Sequence, residues 1–124
     1  MTSQEMKQRT KKFAVRVIKM TEALPNTRAA DVIAKQLIRS SSSVGANYRA
    51  ALRARSQADF ISKIGITIEE TDESEYWIEL LVDCEIVKSE RMTELLKEAN
   101  ELIAILTATS KTTKSHSVRY PKKS

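Results

Sequence analysis

Turn formers are scarce in this chain. Two glycines and two prolines among 124 residues are too few for an all-β protein of this length, so helices are expected. One cysteine, Cys84, excludes an internal disulfide and fits a reducing, cytoplasmic setting. Histidine occurs once, as His116 in a polar stretch near the end, where nothing would hold it in a reactive geometry. A phosphate-binding glycine loop, a CxxC pair and a serine elbow are all missing. No uninterrupted apolar run exceeds a few residues and Ser3 to Lys12 is polar, so neither a membrane span nor a secretory leader is expected. These absences point away from an enzyme and from a cofactor.

Charge is plentiful but unevenly spread. Residues 1–63 hold 13 Lys/Arg against 4 Asp/Glu, residues 64–109 hold 3 against 12, and the last fifteen hold 5 and none. Like charges four apart on a helix repel by a few tenths of a kcal/mol, so one-sided helices call for partners. Such asymmetry suggests nucleic-acid binding or pairing between copies.

Hydrophobic periodicity predicts four helices. The first runs from Gln4 to Ala23 with Phe13, Val17, Met20 and Leu24 on one stripe, and Pro25-Asn26 ends it. The second runs from Arg28 to Ala54 with Ile33, Leu37, Val44, Tyr48 and Ala51 inward. Ser56 reads as the N-cap of the third, which carries Phe60, Ile64, Ile68, Ile78 and Leu81 on to Val87. Ser89 reads as the N-cap of the fourth, whose seam is Met92, Leu95, Leu96, Ala99, Leu102, Ile103 and Leu106. Short links between amphipathic helices make an all-α, antiparallel up-and-down four-helix bundle over residues 1–109. Residues 110–124, polar and basic, read as a disordered tail.

Within that frame, Cys84 stands at helical spacing from Trp77, Leu80 and Leu81, which suits a buried small side chain better than a nucleophile. Glu69, Asp72, Glu73, Glu75, Glu79 and Asp83 contain i,i+3 and i,i+4 carboxylate pairs, a metal-presenting geometry. Di-iron bundles, however, use two Glu-x-x-His pairs, and no histidine precedes His116. A solvated or salt-bridged ridge is the favoured reading, and no metal is expected. The run Ser40, Ser41, Ser42, Ser43, Gly45, Ala46 interrupts good helix formers with small residues. It would let another helix approach closely, with Gly65 opposite extending the contact and Asn47 buried and hydrogen-bonded. The basic side has the strongest claim to function. Arg49, Arg53 and Arg55 cluster near one end of the bundle, Lys35 and Arg39 lie two to three turns earlier, and helix 1 adds Lys11, Lys12 and Arg16. Side chains so placed can neutralise phosphates without reading bases. The competing use is pairing with the acids of the third helix.

The stretch from Gln36 to Leu81 also resembles a known family. Gln36 and Arg39, then Ser43-Val44-Gly45-Ala46-Asn47, then Arg53, Arg55-Ser56, Asp59-Phe60, Ile64, Glu70 and Leu80 follow in order and spacing, and Asn100-Glu101-Leu102-Ile103 joins them. The pattern resembles the small four-helix-bundle proteins encoded in intervening sequences of bacterial 23S ribosomal RNA genes, over roughly residues 10–108. That resemblance implies an antiparallel four-helix bundle assembling as a homopentameric ring. Distant relatives look like the accessory variability proteins of diversity-generating retroelements, pentamers whose basic surface binds nucleic acid and a reverse transcriptase. Many relatives carry a glutamate three residues after the asparagine, where this chain has Ala50.

The expectation is therefore a non-catalytic, cytoplasmic, oligomeric bundle binding RNA or DNA through backbone electrostatics. Arg49, Arg53 and Arg55 would be the main phosphate contacts. Lys35, Arg39, Lys11, Lys12 and Arg16 would be secondary, and the tail would add non-specific affinity. The alternative is an interaction scaffold, or an accessory subunit for a protein partner such as a reverse transcriptase.

Overall fold

The computed structural model describes residues 1–119, with side chains through Ser115. Four helices follow one another: α1 Ser3–Thr21, α2 Arg28–Leu52, α3 Gln57–Asp83 and α4 Ser89–Arg119. No strand occurs among the described residues. Local chemistry sets most of the boundaries. Thr2 and Glu5 form a reciprocal capping box on α1, each side chain accepting the other's backbone N–H at 3.1 Å. The Thr27 hydroxyl accepts from Ala30 N at 3.2 Å to start α2. Ser56 starts α3, as expected, by accepting from Asp59 N at 3.0 Å.

Two boundaries differ from expectation. α3 stops at Asp83 rather than Val87, because Glu85 turns into the left-handed region at φ 58°. The Ile86 N–H then bonds back to Leu81 O at 3.0 Å and the Glu85 N–H to Val82 O at 2.9 Å, the paired closure of a Schellman turn. Cys84 consequently caps the helix and is exposed, so it is not the buried hydrophobe its spacing suggested. Ser89 is the first residue of α4 rather than its cap, and its hydroxyl donates to the Glu90 carboxylate at 3.3 Å.

The helices pack in cyclic up-and-down order, α1 on α2, α2 on α3 and α3 on α4. The closing seam between α1 and α4 is the thinnest. Phe13 and Val17, then Leu37 and Val44, Ile64, Ile78 and Leu81, and Leu102 and Leu106 are all fully buried in one shared core. The inward stripe expected of α2 is buried throughout. The small residues also act as expected in part. Gly45 lies against α1, where an added Cβ would meet Lys11 N and Thr10 Oγ1 at 3.5 Å. Ser40 and Ser74, both buried, hydrogen-bond across α2 and α3 at 2.9 Å. Gly65 extends nothing, since a Cβ there meets no atom within 4 Å. Asn47 is only half-buried and donates to Ser43 O of its own helix at 2.9 Å.

The expected break at residue 109 is also absent. α4 runs on to Arg119, Ser110 is buried, and the Gln57 side-chain amide donates to Thr113 O at 3.2 Å. Thr109 and Thr113 satisfy their hydroxyls on carbonyls one turn back, at 3.0 and 2.8 Å, so polar composition does not stop the helix here. Tyr120–Ser124, the remainder of the expected tail, lie outside the described residues.

Candidate nucleic-acid interface

The basic residues divide into those used inside the fold and those left over. Arg9 clasps α4 from α1, its Nε and Nη2 donating to the two oxygens of Glu98 at 2.8 and 2.7 Å, with Glu101 at 3.4 Å. Arg39 does the same between α2 and α3. Its Nη1 donates to Glu70 at 3.0 Å and its Nη2 to Glu73. The indole N–H of Trp77 donates to that same Glu73 oxygen at 3.0 Å. Arg39, expected among the phosphate contacts, has its guanidinium held by two carboxylates of a neighbouring helix while its side chain stays 49% exposed.

Arg49, Arg53 and Arg55 are exposed and make no ion pair among the described residues. Arg53 is the C-cap of α2, where the helix dipole favours a cation. Arg55 lies in the short link to α3. Its neighbour Asp59 is held below the usual carboxylate range, first by the hydrogen bond from Lys63 at 2.7 Å and then by that residue's charge and by Arg55 itself. Lys11 and Lys12 are exposed on α1, and Arg16 is half-buried, all three without an ion pair among the described residues. Lys35 pairs only with Asp31, at 3.3 Å and with both side chains well exposed, a contact worth little and easily given up.

Helix register assembles these residues in a way that spacing alone did not show. With Gly45 seated on Lys11 and the two helices antiparallel, four residues further along α2 and four residues back along α1 both move about 6 Å the same way. Arg49 therefore stands level with Lys7, a residue absent from the sequence-based candidates. Gln57 at the start of α3 is tied to Thr113 late in α4, which brings Lys111 and Lys114 to the same end. The three segments that meet there, residues 1–12, 46–63 and 107–115, hold ten Lys/Arg against two Asp/Glu. At the opposite end Glu79, Asp83, Glu85, Glu90 and Glu94 outnumber Lys88 and Arg91 around one turn, while Lys19 and Arg28 balance Glu22 and Asp31 around the other. The charge imbalance in the sequence thus becomes a lengthwise polarity of the bundle. The N-termini of α1 and α3 share this pole with the C-termini of α2 and α4, so the helix dipoles largely offset one another there and the side chains set its charge.

No group of three or more His, Cys, Asp or Glu side chains converges among the described residues. Glu75 on α3 has one carboxylate oxygen buried and without a hydrogen bond. Its pKa is raised, first by burial and then by Glu79 and Asp72. No described helix is long and apolar enough to cross a membrane.

Four helices in up-and-down order around a single apolar core place the chain among small helical-bundle proteins. The family model described as 23S rRNA-intervening sequence protein matches residues 2–108, and the chain belongs to that family. Among solved structures it is similar to a crystal structure of a protein with unknown function from the S23 ribosomal protein family of Bacteroides thetaiotaomicron VPI-5482. The two are 36% identical, the match covers 90% of this chain and 99% of that one, and the TM-score is 0.83. None of the curated proteins matches. Neither the family description nor this neighbour indicates an enzymatic activity.

Proposed function

We propose that this protein is a non-catalytic, cytoplasmic nucleic-acid-binding bundle that holds phosphates on its basic pole. The observation that carries the reading is the division of labour among the arginines. Arg9 and Arg39 are spent on carboxylates of neighbouring helices, whereas Arg49, Arg53 and Arg55 stand exposed with no such partner among the described residues. Lys11, Lys12, Arg16 and Lys35 border them, with Lys7 at the level of Arg49 and Lys111 and Lys114 at the same end. Contacts of this kind position a backbone and carry no base code, so RNA and DNA are both accepted. Titration of labelled nucleic acid against salt tests it. Affinity should fall steeply with ionic strength, and replacing Arg49, Arg53 and Arg55 together by Ala should flatten the logarithmic slope by about 2.7, since each phosphate contact contributes about 0.9. An unchanged slope, or no binding at low salt, removes the reading.

A second reading is supported by the outer face of α3. Glu69, Asp72, Glu79 and Asp83 are exposed there around Tyr76, which is 55% exposed, and Ile66, which is 41% exposed. Gly65 beside them leaves an uncovered gap in a helix interior. An acidic face with an aromatic centre complements the basic pole, so copies would associate, with a homopentameric ring as the expected assembly and a partner such as a reverse transcriptase as a further occupant. Light scattering in low and high salt tests it; a monomer in both would remove it.

A further inference from the structure

We infer that the nucleic acid this pole takes is a duplex rather than a single strand, an inference that rests on the nucleic-acid reading above and names its substrate class. Proteins that hold single strands combine a groove tracking the backbone with aromatic side chains on which bases stack, each worth about 1–3 kcal/mol. Among the described residues the basic pole offers neither. Gln4, Gln8, Lys11, Lys12 and Val15 line only an open depression along one helix.

The aromatic residues near this pole turn inward, and the exposed ones are placed elsewhere. Phe13 and Tyr48 are buried, and Phe60 is packed against the core. Tyr76 and Trp77 stack edge-on against each other, ring centroids 5.1 Å apart, some 19 residues or about 28 Å up α3 from its basic start. Tyr120 lies outside the described residues.

What the pole does offer is a set of exposed cations spread over two adjacent helices. The backbone of Lys7, Lys11 and Lys12 is placed by the seating of α1 on Gly45, and that of Arg49, Arg53 and Arg55 by the last turn of α2 and its short link to α3. A single strand laid on this surface must lose its conformational freedom without stacking in return. A duplex is already ordered and presents a charge every 1.7 Å of axis rather than every 3.4 Å. Denser phosphates on an already ordered backbone favour the double strand at a surface that offers charge without stacking.

The test uses the full chain and four labelled probes of about 20 nucleotides: duplex DNA, duplex RNA and one strand of each. Anisotropy at about 0.1 M salt should give at least one duplex roughly tenfold or more tighter than its own single strand, and comparison of the two duplexes shows which helix form fits. Single strands that bind as tightly as both duplexes overturn the inference while leaving the nucleic-acid reading intact; no binding of any probe at about 50 mM salt overturns the reading itself. In the same assay Tyr120→Ala should keep duplex affinity within about twofold. A tenfold loss on that change would put an aromatic contact into the complex and defeat the inference.

Discussion

Replacing Gly45 by alanine should stabilise the protein, although Gly45 lies at the closest approach of two helices. A methyl built on its Cα meets Lys11 N and Thr10 Oγ1 at 3.5 Å and Thr10 C at 3.6 Å, ordinary contact distances rather than clashes. Its backbone is helical and its φ is not positive, so alanine gains about 0.5–1 kcal/mol through backbone entropy. For a chain of this size that shift raises Tm by about 2–5 °C. Leucine at the same position must place three more carbons where α1 already stands. It should cost about 1–3 kcal/mol by overpacking and lower Tm correspondingly. Thermal and urea melts followed by circular dichroism measure both. A destabilised Gly45→Ala, or a Leu variant as stable as the Ala one, would refute the seating of α1 on α2 from which the register of the basic pole is derived.

Arg39→Ala should cost about 1 kcal/mol of stability, since it strands Glu70 and Glu73 at a half-exposed site, yet leave nucleic-acid affinity within about twofold. The triple Ala variant of Arg49, Arg53 and Arg55 should show the reverse, with a lowered salt slope and Tm unchanged within about 2 °C. Glu75→Gln should stabilise the fold near neutral pH by about 1 kcal/mol, the low end for an unpaired buried polar group. The folded carboxyl has a raised pKa, so its penalty begins as pH climbs past the unfolded value near 4.3, is complete above the folded one and vanishes in acid. Urea midpoints of both proteins at pH 4 and pH 7.5 should converge at the lower value; a constant gap would disprove the charge origin. Glu85→Gly should add about 0.5–1 kcal/mol, because φ 58° suits glycine at the end of α3, and an unaltered urea midpoint would contradict that strain.

Much of the bundle was legible from periodicity. Ile33, Leu37, Val44, Tyr48 and Ala51 recur at helical spacing, and all five are buried; Ser56 announced α3 through its hydroxyl. Two kinds of feature stayed hidden. One is the fate of residues at helix ends. Cys84 follows the apolar stripe of α3, but the left-handed Glu85 ends the helix one turn before the stripe does, and nothing in a glutamate signals that conformation. The polar stretch after Thr109 likewise read as a tail because its hydroxyls look unsatisfied until they are seen bonded one turn back. The other is register. Composition showed that Arg39 and Arg49 are both basic, but only the positions of Glu70 and Glu73 across α2 and α3 make the first a clasp. Only Gly45 against Lys11 sets Lys7 beside the second.

α1 is fastened less firmly than α2 and α3, resting mainly on α2 and meeting α4 along a thin seam that one arginine clasps. In a bundle so joined, opening begins at the loosest member: α1 amides should trade deuterium ahead of those in α2 and α3. Because several of the free cations ride on this same helix, a bound polyanion would lash it down, and docking would be recorded as slowed deuterium uptake along the very first turns of the chain.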